Sequence, residues 1–222
     1  LGEDNITLGY QNMFSTRADQ DSYQASDHNI NIGQENMYYV GNNNDYNIAI
    51  GYKNNRHIYD ASQKNVSIGF ENIISGQTPT ENIAIGSRNL HSANTATYNI
   101  ALGYYSLYEG NGASKNIVAG HEAGMRGTGM TQCIVLGVEA AQYQSGFPYP
   151  NNSNKLQGDT PMNKDIVIGV QAAQYYRNTN TYDTGSYNTN IGYRAAFSAQ
   201  GQSESINIGS QAGYYAMGMG GE

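Results

Sequence analysis

The chain predicts an all-β fold, a parallel β-helix or β-solenoid built from about eleven coils of 17–18 residues. Two observations carry that reading. A five-residue phrase ending in glycine returns eleven times: NITLG at Asn5, NINIG at Asn29, NIAIG at Asn47 and Asn82, NVSIG at Asn65, NIALG at Asn99, NIVAG at Asn116, CIVLG at Cys133, DIVIG at Asp165, NTNIG at Asn188 and SINIG at Ser205. Its glycines stand 24, 18, 18, 17, 17, 17, 17, 32, 23 and 17 residues apart. A fixed period over nearly the whole length means one supersecondary unit stacked on copies of itself. The 222 residues are therefore read as a single elongated domain, residues 1–222. The opening LGEDNITLG already lies inside a repeat, which predicts a fragment of a longer fibre.

Within each phrase the residues three and one before the glycine are aliphatic, from Ile6 and Leu8 to Ile206 and Ile208, except for Thr189. They flank a variable residue, so each phrase predicts a short strand with one buried face. Parallel stacking at about 4.8 Å would give a rod on the order of 50 Å long. Each coil brings one aliphatic strand and partial cover four residues after the glycine, at Met13, Met37, Ile73, Leu90 and Leu107. One chain then makes a poor core, whereas three chains around one axis make a good one, so the expected assembly is a homotrimer.

The variable position becomes Val118, Val135 and Val167 in successive phrases. Read as an outward run, these valines call for cover, from the long insertion beside them or from a neighbouring chain. Three residues after the glycine stand Asn12, Asn36, Asn54, Asn72 and Asn89, then Ser106, then Ala123, Ala140, Ala172, Ala195 and Ala212. Stacked asparagine amides hydrogen-bond along a β-stack, and the change at Ser106 predicts a cross-section that alters midway. Two residues after the glycine, Glu35, Lys53, Glu71 and Arg88 alternate in sign, as a cross-strand charge ladder would. Glu122 and Glu139 follow with the same sign and are the one carboxylate pair in register.

Charged residues make up only 13% of the chain, with 11 bases against 18 acids and a net charge of −7. No basic cluster offers the electrostatic footprint of a nucleic-acid binder. No apolar run approaches the roughly 20 residues that span a bilayer, so neither nucleic acid nor membrane insertion is expected. Cys133 is the single cysteine and the four histidines are scattered. No metal-ligand spacing, hydrolase elbow or phosphate loop appears, so neither a cofactor nor a metal is expected, and GMRGTGM at residues 124–130 reads as turns.

Insertions lengthen three steps, at residues 10–28, 138–163 and 170–187. Long loops on a rigid scaffold are the usual seat of binding. The second and third carry Tyr143, Phe147, Tyr149, Asp159, Tyr175, Tyr176, Arg177, Tyr182 and Asp183. Aromatic faces beside acids, amides and a guanidinium suit sugars, whose C–H faces stack while their hydroxyls hydrogen-bond. These nine residues are the expected glycan site.

The N-I-x-I-G phrase resembles the head repeats of trimeric autotransporter adhesins, and more closely the NIAIG-type repeats of bacteriophage tail fibres, over residues 5–213. Adhesin heads have repeats near 14 residues with fewer insertions; the longer period and tyrosine-rich loops favour the fibre. The resemblance implies a virion-borne, homotrimeric receptor-binding domain that attaches to a host surface glycan, O-antigen or capsule, without cleaving it. It also implies neighbouring tail-fibre segments as partners. Some such fibres carry a C-terminal chaperone that cuts itself away, and the tail MGMGGE fits a chain released at Glu222 or an arbitrary boundary equally well. Two alternatives stay open: a bacterial adhesin head, and a tailspike depolymerase using a carboxylate pair. The threonines of TPT at Thr78 and TAT at Thr95 are too isolated for an ice-binding lattice.

Overall fold

A computed structural model describes residues 3–13, 26–40, 43–58, 62–142, 162–175, 187–199 and 204–215. Every repeated phrase forms a strand. The eleven are β1 (Ile6–Tyr10), β2 (Ile30–Gln34), β4 (Ile48–Tyr52), β6 (Val66–Phe70), β8 (Ile83–Ser87), β9 (Ile100–Tyr104), β10 (Ile117–His121), β11 (Ile134–Leu136), β12 (Ile166–Ile168), β13 (Thr189–Ile191) and β14 (Ile206–Ile208). They pair in chain order into one parallel sheet, glycine opposite glycine wherever the ladder reaches that far. Three two-residue strands, β3 (Tyr39–Val40), β5 (His57–Ile58) and β7 (Ser75–Gly76), add a short second parallel column. A third column of single bridges runs from Thr80 through Thr97, Ser114 and Thr131 to Asn163. The protein is an all-β solenoid.

The strands face the opposite way from the sequence expectation. The variable mid-strand residue, not the aliphatic pair, points into the coil: Ala49, Ser67, Ala84, Ala101, Val118, Val135 and Val167 are fully buried. The expected outward valine run therefore lies inside and needs no cover from the insertion. The reason is volume. Where mid-strand is Ala84 or Ala101, the residue four after the glycine is Leu90 or Leu107; where it is Val118, Val135 or Val167, that partner shrinks to Gly124, Ala141 or Ala173. A Cβ on Gly124 would sit 3.3 Å from Val118 Cγ1, so the two positions fill one space. Met37, Ile73, Leu90 and Leu107 are buried core as expected, and the cross-section does change past Ser106.

Two side-chain ladders close the corners. Asn36 Nδ2 donates to the carbonyls of Ile32 and Gly51, each at 3.0 Å, while its Oδ1 accepts the Asn54 amide at 3.0 Å. Asn54 and Asn72 repeat the pattern. At Ser106 one hydroxyl proton lies between the carbonyls of Leu102, 2.9 Å, and Gly120, 2.6 Å. A second ladder uses the first residue of each phrase: Asn47, Asn65, Asn82, Asn99 and Asn116 each donate a backbone amide to the preceding asparagine Oδ1 at 2.8–3.1 Å. The turns themselves lie in left-handed space. The residue two after each glycine has φ between 51° and 58°. Each repeat glycine before β14 is packed so that a Cβ would meet the next glycine's carbonyl oxygen at 1.8–2.4 Å.

Candidate functional site

Burying the mid-strand residue turns the aliphatic pair outward. Residues three and one before each glycine form two rows along the full length of the sheet. In mid-sheet Ile85, Leu102 and Ile117 are 40%, 36% and 42% exposed, and the rows are more open still at Ile6, Leu8, Ile206 and Ile208. A largely apolar stripe about 50 Å long, broken in one row by Thr189, is the kind of surface that marks an interaction site.

Beside these rows runs a third, the residue after each glycine, which is aromatic at Tyr10, Tyr52, Phe70, Tyr104 and Tyr193. Its rings stack from rung to rung: Tyr52 on Phe70 and Tyr104 on His121, both at 5.3 Å between centroids. A parallel sheet puts like positions one rung apart, so stacking needs only that aromatic residues recur at one repeat position. On the adjoining corner His91 stacks on Tyr108 at 4.8 Å, and Tyr105 meets Tyr108 edge-on. Burial pulls His91 below the ordinary histidine value and lifts Tyr108 above the ordinary phenol.

The expected charge ladder is present as pairs. Lys53 Nζ is 4.0 Å from Glu35, which also takes Arg56 at 3.4 Å, and Arg88 Nε donates to Glu71 at 2.8 Å. Arg88 Nη1 is also hydrogen-bonded to the Tyr105 hydroxyl. Glu122 and Glu139 are each engaged by side-chain amides. Gln142 Nε2 donates to Glu122, while Gln171 and Gln174 donate to Glu139 at 2.7 and 2.8 Å. Gln174 also donates to Gln142 Oε1, and Arg194 Nε to Gln171 Oε1, both at 2.7 Å. These acids are held by amide donors inside a structural network. Among the described residues no group of three or more His, Cys, Asp or Glu side chains is placed to hold a metal ion.

No protein-family model, curated protein or solved structure matches this chain. What it does must be read from its own geometry.

Of the nine expected glycan-site residues, Tyr143, Phe147, Tyr149, Asp159, Tyr176, Arg177, Tyr182 and Asp183 lie outside the described residues. Tyr175 is half-buried at a coil corner. Its backbone amide donates to the Phe197 carbonyl at 2.8 Å and its ring meets Phe197 edge-on at 5.1 Å. Phe197 stacks in turn on Tyr214 at 4.9 Å. Tyr175 thus begins an aromatic column on the rod. The sequence reading missed the column after the glycine because it sought aromatics in loops; aligning all eleven phrases on their glycines would have exposed it.

Asp165 occupies a rung where most repeats carry Asn. It is buried, its Oδ1 accepts the Asn188 amide at 2.6 Å, and its Oδ2 has no hydrogen-bond partner. Desolvation pushes its carboxyl up to about 7 against the pull of the Asn188 bonds. The facing Cys133 thiol is also buried and pushed up to about 12, so it is neutral beside it.

Proposed function

We propose that this chain is one strand of a homotrimeric, phage-type fibre whose shaft of about eleven coils presents loops that bind a polysaccharide on a bacterial surface. The observation that carries the reading is the outward double row of aliphatic side chains. A strand that turns Ala, Ser, Val or Asn inward and its Ile and Leu pair outward is built to lay that face against something apolar and equally regular. Another copy in the same register meets that description, and three-fold symmetry puts like rungs together without leaving an open edge. The likeness of the N-I-x-I-G phrase to tail-fibre repeats points the same way, as do the three insertions into an otherwise near-constant period. The engagement of Glu122 and Glu139 by amides favours attachment without cleavage, and the site of action would be the virion's tail fibre.

Light scattering tests the assembly. The expected molar mass is near three times the 24.1 kDa chain, and a monomer would remove the main support for the fibre. Binding to an array of bacterial capsular and O-antigen polysaccharides tests the receptor role. Attachment without release of reducing ends is expected; release would make the protein a depolymerase.

A further inference from the structure

The row two residues after the glycine carries three cations, Lys53, Arg88 and Arg194. Glu35 stands one rung below Lys53 and Glu71 one rung below Arg88, and each acid pairs with the cation above it, at 4.0 and 2.8 Å. Arg194 breaks the pattern. One rung below it stands Gln171, whose Oε1 accepts from Arg194 Nε at 2.7 Å, and one rung above it stands the exposed Gln211. Among the described residues no carboxylate is paired with Arg194. The next acid down the row is Glu139, two rungs away, and Gln171 and Gln174 already donate to it.

From this unmatched charge we infer a carboxylate-binding subsite at Arg194, and with it a polysaccharide ligand built with a uronic or other carboxylated sugar. This rests on the glycan-receptor reading and narrows its ligand to an acidic one. The guanidinium is half-buried and fixed in place. Its Cζ lies 5.1 Å from the Tyr193 ring centre and 5.2 Å from that of Phe197. Phe197 is itself stacked on Tyr214 and met edge-on by Tyr175, the one described member of the expected glycan site. Ring contacts do not replace a counter-ion here: Arg88 lies 5.8 and 5.6 Å from the Phe70 and Tyr105 ring centres and still takes Glu71. A charge partly withdrawn from water without a partner is costly, and a ligand carboxylate supplies the partner that Glu35 and Glu71 supply elsewhere in the row. With Nε held by Gln171, the two Nη groups of Arg194 have no partner among the described residues. A planar guanidinium already fixed in orientation is the donor set that takes a carboxylate through two parallel hydrogen bonds. Tyr193 beside it is 46% exposed and supplies apolar surface of the kind on which a sugar's C–H groups lie.

Saturation-transfer NMR with methyl glucuronide and methyl galacturonide, each against its uncharged methyl glycoside at millimolar concentration, tests the subsite directly. At least one uronide is expected to receive more transfer from the wild-type protein than its neutral counterpart. Arg194→Gln should lower the uronide signal about tenfold, the worth of one charge-assisted pair, and erase the preference. Gln211→Glu leaves the guanidinium in place and offers it an internal carboxylate from the rung above, so it should lower the uronide signal by a similar factor. Lys115→Gln, an exposed cation on another corner, should change nothing. A wild type without preference, or a preference that survives both variants, overturns the subsite. A fall in molar mass in Gln211→Glu or Arg194→Gln would assign Arg194 to a contact between chains and overturn it too. The polysaccharide array separates this from the receptor reading, because reducing the carboxyl groups of a bound polysaccharide to alcohols should abolish its binding. Array binding that survives carboxyl reduction and Arg194→Gln overturns the subsite and keeps the receptor role; a uronide preference in a protein silent on the array does the reverse.

Discussion

Two single residues define what this coil tolerates. Gly86, like its counterparts, has φ of 126°, and a Cβ there would approach the Gly103 carbonyl oxygen to 2.0 Å. Both the left-handed backbone and the next rung's backbone oppose any side chain, and neither can move without opening the sheet. Gly86→Ala is expected to destabilise by about 3 kcal/mol or more, measured as a fall in urea midpoint; a loss under 1 kcal/mol would mean that the rungs are less tightly registered than the geometry requires. Asp165 is the second. Its carboxyl sits near 7 in the fold against 3.8 for the unreacted group, so the folded chain holds more protons than the unfolded chain between those values. Stability must therefore fall as pH rises from about 4 to about 7, then level off. The shift spans roughly three units, an upper bound of about 4 kcal/mol. Asp165→Asn removes the charge and restores an amide donor. Compared by urea titration, the variant should outstrip wild type at pH 8 by on the order of 1–4 kcal/mol, with the difference vanishing near pH 4; a constant difference across pH would refute the assignment.

At the scale of the element, stability comes from ladders rather than from a large apolar core. Asn72 Nδ2 serves the carbonyls of Ile68 and Gly86, and its Oδ1 accepts the Asn89 amide. Asn72→Ala removes all three of these side-chain hydrogen bonds and should cost about 2–4 kcal/mol. The chain itself carries alanine at the equivalent Ala123 and Ala140, yet there the packing has changed with it. Val135 and Ala141 show that change as a testable pair. Val135→Ala opens a cavity costing about 1–2 kcal/mol and Ala141→Leu overpacks by a similar amount. Together they reproduce the Ala101 and Leu107 arrangement found two rungs away, so the double variant should recover at least 1 kcal/mol of the summed loss in a double-mutant cycle; strict additivity would mean that the two positions fill separate spaces. Strand positions, parallel register, the asparagine stack and the Glu–Lys and Glu–Arg pairs were all legible in the sequence, because each follows from a residue type recurring at one repeat position. Facing was not. An Ile-x-Ile pattern states that two alternate faces exist, and a lone-chain reading puts the larger aliphatics inside. The decisive signal was the reciprocal size of the mid-strand residue and its partner six positions later, a correlation between columns rather than a property of either.

At the scale of the molecule, the outward aliphatic rows allow the folding of a coil to be tested apart from the proposed association of chains. A side chain one before the glycine leaves the interior entirely, so its chemistry can change without disturbing the coil's own packing. Leu102 is the clearest position, lying in mid-sheet between Ile85 and Ala119 and 36% exposed. In a three-fold assembly, Leu102→Glu brings three carboxylates together at one level around the axis, where each faces desolvation and two like charges. The penalty is several kcal/mol per buried ion in such a setting, enough to lower the molar mass from near three chains toward one. The far-UV dichroism of the separated chain should keep its β signature, because the Asn ladders and the buried alanines are untouched. Thermal unfolding should also lose its dependence on protein concentration, since that dependence exists only when folding and assembly are linked. Glu204→Gln, a control on an exposed residue preceding β14, should leave mass and dichroism as they are. Sedimentation of wild type and Leu102→Glu at several concentrations reads all of this at once: an unchanged mass in the variant would show that the aliphatic rows face something other than sister chains.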